Sequence, residues 1–166
     1  MAGISEEASI FIHRSPDNVW SFLIDPKNWK DLPLLRSSRF SINDQEVKEG
    51  SYLQIGIETM GVYTDIGIHV TKFDKPVGIS WEGHVTYMLF RRAFWPFTNT
   101  RGSIRFEAVQ DGTKVTVSQN FFPSDNVFAM LVFLVMERVL KIKDIINNTM
   151  YVLLLSFQLR LEENLL

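Results

Sequence analysis

From Arg36 to Phe122 apolar and polar residues alternate with a period of two, a pattern that suits strands with one face covered and one face wet. Turn signals inside this stretch restrict it further. Pairing outward from Met60-Gly61 sets Thr59 opposite Val62, Ile57 opposite Thr64, Ile55 opposite Ile66 and Leu53 opposite Ile68, so all the aliphatic residues share one face. Asp111-Gly112 is the stronger hairpin signal and sets Ala108 opposite Val115, Phe106 opposite Val117 and Ile104 opposite Gln119. Asp74-Lys75-Pro76 forces a turn between the hairpins. The register that keeps the aliphatics together there sets Val70 opposite Trp81 and Ile66 opposite Val85. The other face then carries Asp65, His69, Glu82, His84, Arg105, Glu107 and Thr116.

One apolar sheet face needs a cover. Before the sheet, Ala8 to His13 read as a strand, and Ser15-Pro16-Asp17 supplies an N-cap, a first-turn proline and a first-turn acid for a helix. Val19, Phe22 and Leu23 share one face of that helix, Asp25-Pro26 ends it, and a second short helix follows over Pro26 to Asp31. After the sheet, Pro123-Ser124-Asp125 opens a helix that continues at least to Asn147. Phe128, Val132, Val135, Val139, Ile142, Ile146 and Leu153 form the face expected to lie on the sheet. Strands in a run with helices segregated to the ends define an α+β fold. At 166 residues the chain is one domain, read as 1–148, with 149–166 an aliphatic C-terminal extension of the last helix or a tail. Its Met150 to Leu161 stretch needs hiding, and a homodimer contact ranks first.

The composition excludes several classes. Apolar residues make up 46% against 22% charged, which removes disorder, and a net charge of -2 gives no footprint for phosphate backbones, so no nucleic acid partner is expected. No cysteine means no disulfide, thiolate nucleophile or cysteine-held metal. No basic and apolar leader and no apolar run of about 20 residues is present, so a cytoplasmic location is the default expectation.

The segments Ile10-Phe11-Ile12, Ser15-Pro16-Asp17-Asn18-Val19-Trp20, Asp25-Pro26, Trp29 and Leu32-Pro33 resemble the opening of the START-related superfamily, which includes polyketide cyclase/dehydrases, plant pollen-allergen (Bet v 1-like) proteins and coenzyme Q-binding proteins. The Asp111-Gly112-Thr113-Lys114-Val115-Thr116-Val117 hairpin and the terminal helix are similar as well, so the resemblance covers Ala8 to Asn148. It implies a helix-grip fold, a curved seven-stranded antiparallel sheet around a long C-terminal helix with two short helices after the first strand. It also implies an apolar cavity between sheet and helix for a lipid, isoprenoid, polyketide or similar molecule. No shared catalytic motif exists to carry over.

Chemistry-bearing residues are sparse. His13, His69 and His84 have no metal-ligand spacing, and His69 falls opposite Glu82 on the wet face as a cross-strand polar pair. On the inner face Thr64, Tyr87 and Gln119 either pair internally or meet a ligand. Phe90-Arg91-Arg92-Ala93-Phe94-Trp95-Pro96-Phe97 is basic and aromatic together, which suits either one end of the core or transient contact with lipid headgroups. The resulting expectation is a hydrophobic small molecule held by Ile57, Thr64, Ile66, Ile68, Trp81, Val85, Tyr87, Phe106, Val117, Gln119, Met130 and Leu134, with no cofactor, metal or catalytic residue assigned. The alternatives are a cofactor-free cyclase/dehydratase-like enzyme in which Tyr87, Arg91 or Gln119 polarises a carbonyl, and an interaction module with a filled cavity.

Overall fold

The computed structural model describes residues 3–29, 39–59, 62–89, 92–94, 97–123 and 141–163, together with positions 127, 131, 134, 135 and 138. Strand β1 (Ile4–Ile12) leads into helix α1 (Pro16–Ile24), where the Ser15 hydroxyl accepts from the Asn18 N–H at 3.4 Å and Pro16 starts the first turn. The Asp25 carboxylate accepts from the Lys27 N–H at 2.9 Å and caps a 3-10 turn, Pro26–Asn28, shorter than the helix expected there. The chain continues through β2 (Arg39–Ile42), β3 (Tyr52–Thr59), β4 (Val62–Asp74), β5 (Gly78–Leu89), β6 (Arg92–Phe94), β7 (Phe97–Val109), β8 (Gly112–Pro123) and α2 (Ile142–Glu163). Seven strands form one antiparallel sheet in the order β1-β8-β7-β5-β4-β3-β2, and the short β6 pairs with β5. This is the curved seven-stranded helix-grip architecture.

The β3–β4 and β4–β5 registers are those expected, Ile55 opposite Ile66 and Val70 opposite Trp81 among them. The β7–β8 register is not. It pairs Val109 with Gly112, Phe106 with Val115 and Ile104 with Val117, two residues away from the expected register. The left-handed turn residue is Asp111, at φ 64°, rather than Gly112, which centres the turn on Gln110-Asp111. Aspartate tolerates that conformation better than most residues. A slip of two preserves which side chains face inward, so the inner face is unchanged.

The core lies between this face, α1 and α2. Trp20 is fully buried at its centre, edge-on to Phe73 at 4.8 Å and Phe106 at 5.6 Å. Its indole N–H has no acceptor among the described residues. Such an orphan costs about 1–3 kcal/mol. Burying 150–250 Å² of ring at about 25 cal/mol per Å² contributes roughly 4–6 kcal/mol and outweighs it.

The C-terminal helix differs from expectation in two ways. Positions 127, 131, 134, 135 and 138 are helical, but Lys141 sits at φ 47° and interrupts the helix; its carbonyl accepts from the N–H groups of Asp144 and Ile145 and starts α2 afresh. Val135 is exposed instead of facing the sheet, and Phe128, Val132 and Val139 lie outside the described residues. The boundary drawn at 148 also falls inside α2. Met150, Leu154, Phe157 and Leu161 repeat at i, i+4, i+7, i+11 and are buried in the core, and the Arg14 guanidinium donates to the Leu161 carbonyl at 3.2 Å, capping the helix end. The segment after 148 continues α2 and contributes these four side chains to the core.

Candidate ligand-binding site

Cross-strand pairing arranges the inner face as rows. Ile57, Thr64 and Tyr87 are register partners in one row, Ile55, Ile66 and Val85 in the next, and Val70, Trp81, Gly102, Gln119 and Glu6 in another. Phe73, Ile79, Ile104, Val117 and Ala8 lie further along, under α1 and α2. The two ends of this face are covered differently.

Under α1 and α2 the space is filled. The gap left between Ile12, Val19, Phe22, Leu23, Ile104, Phe106, Val115, Leu154, Phe157 and Leu161 amounts to a cavity of about 10 Å³. A cavity needs roughly 10–15 Å³ to hold one water, and with no polar lining this one stays dry. Phe106 and Val117, expected to line a ligand cavity, are packed core here. At the other end Ile55, Ile66, Ile68 and Trp81 face inward yet are only partly buried. Buried Leu53, Val70 and Val85 lie among them, so this part of the inner face mixes buried and partly accessible apolar side chains. Of the expected lining, Ile66, Ile68, Trp81 and Gln119 fall in this region, Val85 is buried beside it, and Leu134 is helical and half-buried. The side chains of Ile57, Thr64, Tyr87 and Met130, and those of Arg91 and the whole Phe90–Phe97 segment, lie outside the described residues.

The polar groups of the open end are largely satisfied by one another. The Trp81 indole N–H donates to Gln119 Oε1 at 3.2 Å, Gln119 Nε2 donates to Thr100 Oγ1, and the buried Thr100 hydroxyl donates to the Asn120 carbonyl at 3.1 Å. Gly102 makes this possible. A Cβ there would collide with both the Trp81 ring and Gln119 Oε1, so the indole lies flat across the β7 backbone. Thr100, Gly102 and Glu6 were missed by sequence reasoning. Alternation along β1 carries the signal for the last: Ile4, Ala8, Ile10 and Ile12 are buried, and Glu6 shares their parity as a half-buried carboxylate in the Gln119 row.

The histidines lie away from the inner face. His69 is opposite Glu82, which forms an ion pair with Arg101 at 2.9 Å; His84 lies with Tyr52 over Gly67, and His13 is exposed against Phe11. Among the described residues no three His, Cys, Asp or Glu side chains gather as metal ligands. No described helix is long and apolar enough to cross a membrane.

Solved structures share this architecture at low identity. They include Ara h 8.0201 (11% identity, TM-score 0.66, 97% of this chain and 99% of that one) and the protein of unknown function SA2116 from Staphylococcus aureus (13%, 0.68, 98% and 95%). The di-domain ARO/CYC StfQ from the steffimycin biosynthetic pathway is matched over 98% of this chain and 52% of that one, at 11% identity and TM-score 0.63. No curated protein matches the sequence. The family model described as polyketide cyclase / dehydrase and lipid transport matches residues 4–142, and the chain belongs to that family.

Proposed function

We propose that this protein binds a small-to-medium hydrophobic molecule, of lipid, isoprenoid or polyketide type, at the open end of the grip. The observation that supports the reading is the partial accessibility of Ile55, Ile66, Ile68 and Trp81 as neighbours on the inner face, away from the cavity of about 10 Å³ under α1 and α2. The ligand would lie against these residues and the half-buried Leu134. Apolar contact at about 25 cal/mol per Å² supplies most of the affinity. Because both ends of the Gln119 amide are already engaged, Glu6 is better placed than Gln119 to accept a hydrogen bond from a ligand hydroxyl, and polarisation of a substrate carbonyl by Gln119 is disfavoured. Binding therefore fits the site better than catalysis.

Titration with isoprenoid, sterol, fatty-acid and flavonoid probes, followed by tryptophan fluorescence, tests the reading. A saturable change is expected for at least one class. Trp81→Phe should remove most of that change, and Ile66→Trp should block binding while leaving the protein folded. If no probe binds, or if Ile66→Trp binds as the parent does, the cavity reading fails and the filled interaction module replaces it.

A further inference from the structure

Helix α2 has two apolar faces. Met150, Leu154, Phe157 and Leu161 turn into the core. On the opposite side Ile145, Val152, Leu155 and Leu159 stand exposed, with Tyr151 at the margin, at 36–51% of their full surface. Ile145, Val152 and Leu159 recur every seven residues and Asn148 and Leu155 fill the intervening positions, which is the a/d spacing of a two-helix seam. The hydroxyls beside the seam need no water: Thr149 donates to the Ile145 carbonyl at 2.7 Å and Ser156 to the Val152 carbonyl at 2.8 Å. No charged residue occurs between Asp144 and Arg160.

We propose that this stripe is a self-association surface that seats on the same stripe of a second copy, with the two α2 helices antiparallel. Charge selects the orientation. A pairing symmetric about Val152 sets Ile145 level with Leu159, Asp144 level with Arg160, and the Lys141–Lys143 end of one helix beside Glu162 of the other. A parallel pairing would set Asp144 against Asp144 and Glu162 against Glu162. The antiparallel arrangement also opposes the helix dipoles and is isologous, as a two-fold dimer requires. The exposed apolar surface is on the order of 500 Å², more than half of the roughly 800 Å² that each partner contributes to a standard interface, so flanking polar residues complete the rim. The mixed charge at the two ends of the stripe, Lys141, Lys143 and Asp144 at one and Arg160 and Glu162 at the other, complements an antiparallel copy better than a uniformly anionic membrane.

Light scattering on the full chain over a concentration series should show a dimer. Replacing both Val152 and Leu155 by Ser should shift the apparent dissociation constant by tenfold or more, and Lys141→Glu with Lys143→Glu should weaken association while Glu162→Lys in the same chain restores part of it. The cysteine-free background offers a readout independent of any loss of stability. Mild oxidation should cross-link Val152→Cys into a covalent dimer, and Lys114→Cys, exposed on β8 away from the seam, should form no covalent dimer. A monomer at all concentrations, equal cross-linking of the two cysteine variants, or flotation of a monomeric protein with anionic vesicles that depends on Val152 and Leu155 would each overturn the proposal.

Discussion

At the scale of single residues, Gly102 is where backbone and site chemistry meet most closely. A methyl group there occupies the space of the Trp81 ring and Gln119 Oε1, so Gly102→Ala must displace the indole and break the Trp81–Gln119 hydrogen bond. Overpacking of this kind costs about 1–3 kcal/mol. Urea unfolding should show that loss, and it should come with altered tryptophan emission. Asp44 gives a separate handle on the loop between β2 and β3. Its carboxylate accepts from Lys48 at 2.8 Å and from the buried Ser51 hydroxyl at 2.8 Å, and these bonds, that to Lys48 foremost, hold its pKa below the ordinary carboxylate range. A carboxylate with a lowered folded pKa contributes stability above its unfolded pKa of about 4 and loses it as pH falls through the folded value. Stability measured across the acid range should therefore fall less steeply in Asp44→Asn than in the parent.

At the scale of elements, the sequence was legible wherever period and punctuation agreed. Alternation fixed the inner face of β3, β4, β5, β7 and β8, and Ser15-Pro16 placed the start of α1, because both depend on local sterics and burial. The β7–β8 register was misread by two because Asp111, not the glycine after it, takes the left-handed position. Both residues tolerate it, and parity cannot tell the alternatives apart. The break at Lys141 had no signal at all, since lysine is a good helix former and neither proline nor glycine marks the place. The open end of the site was legible in kind but not in extent: residue type names Ile66 and Trp81, whereas only packing shows that Phe106 and Val117 are filled core. Lys141 itself carries the prediction at this scale. A left-handed conformation costs an L-residue roughly 1–2 kcal/mol, and glycine avoids that at about half the cost in chain entropy. Lys141→Gly should stabilise the domain by up to about 1 kcal/mol and Lys141→Val should destabilise it, both read from the urea midpoint.

At the scale of the whole molecule, what matters is whether the sheet can stand without the last two-thirds of α2. Its inner face is covered under Ile12, Ile104 and Val115 by α1 on one side and by Leu154, Phe157 and Leu161 on the other. Truncation after Asn148 removes all three together with Met150 and leaves the Arg14 guanidinium without the Leu161 carbonyl it holds. Each large buried side chain lost costs about 2–5 kcal/mol, and the net stability of a domain is about 5–15 kcal/mol, so removing four of them consumes the margin. The truncated chain should lose cooperative unfolding and its near-ultraviolet circular dichroism and should aggregate. Replacing Val152 and Leu155 by Ser separates the two faces of the helix, because it touches only the exposed stripe and, at protein concentrations where the parent is monomeric, should leave the unfolding transition nearly unchanged. A soluble, cooperatively folded product ending at Asn148 would mean that α1 alone closes this end of the grip, and that the burial of Leu154 follows from the fold rather than sustaining it.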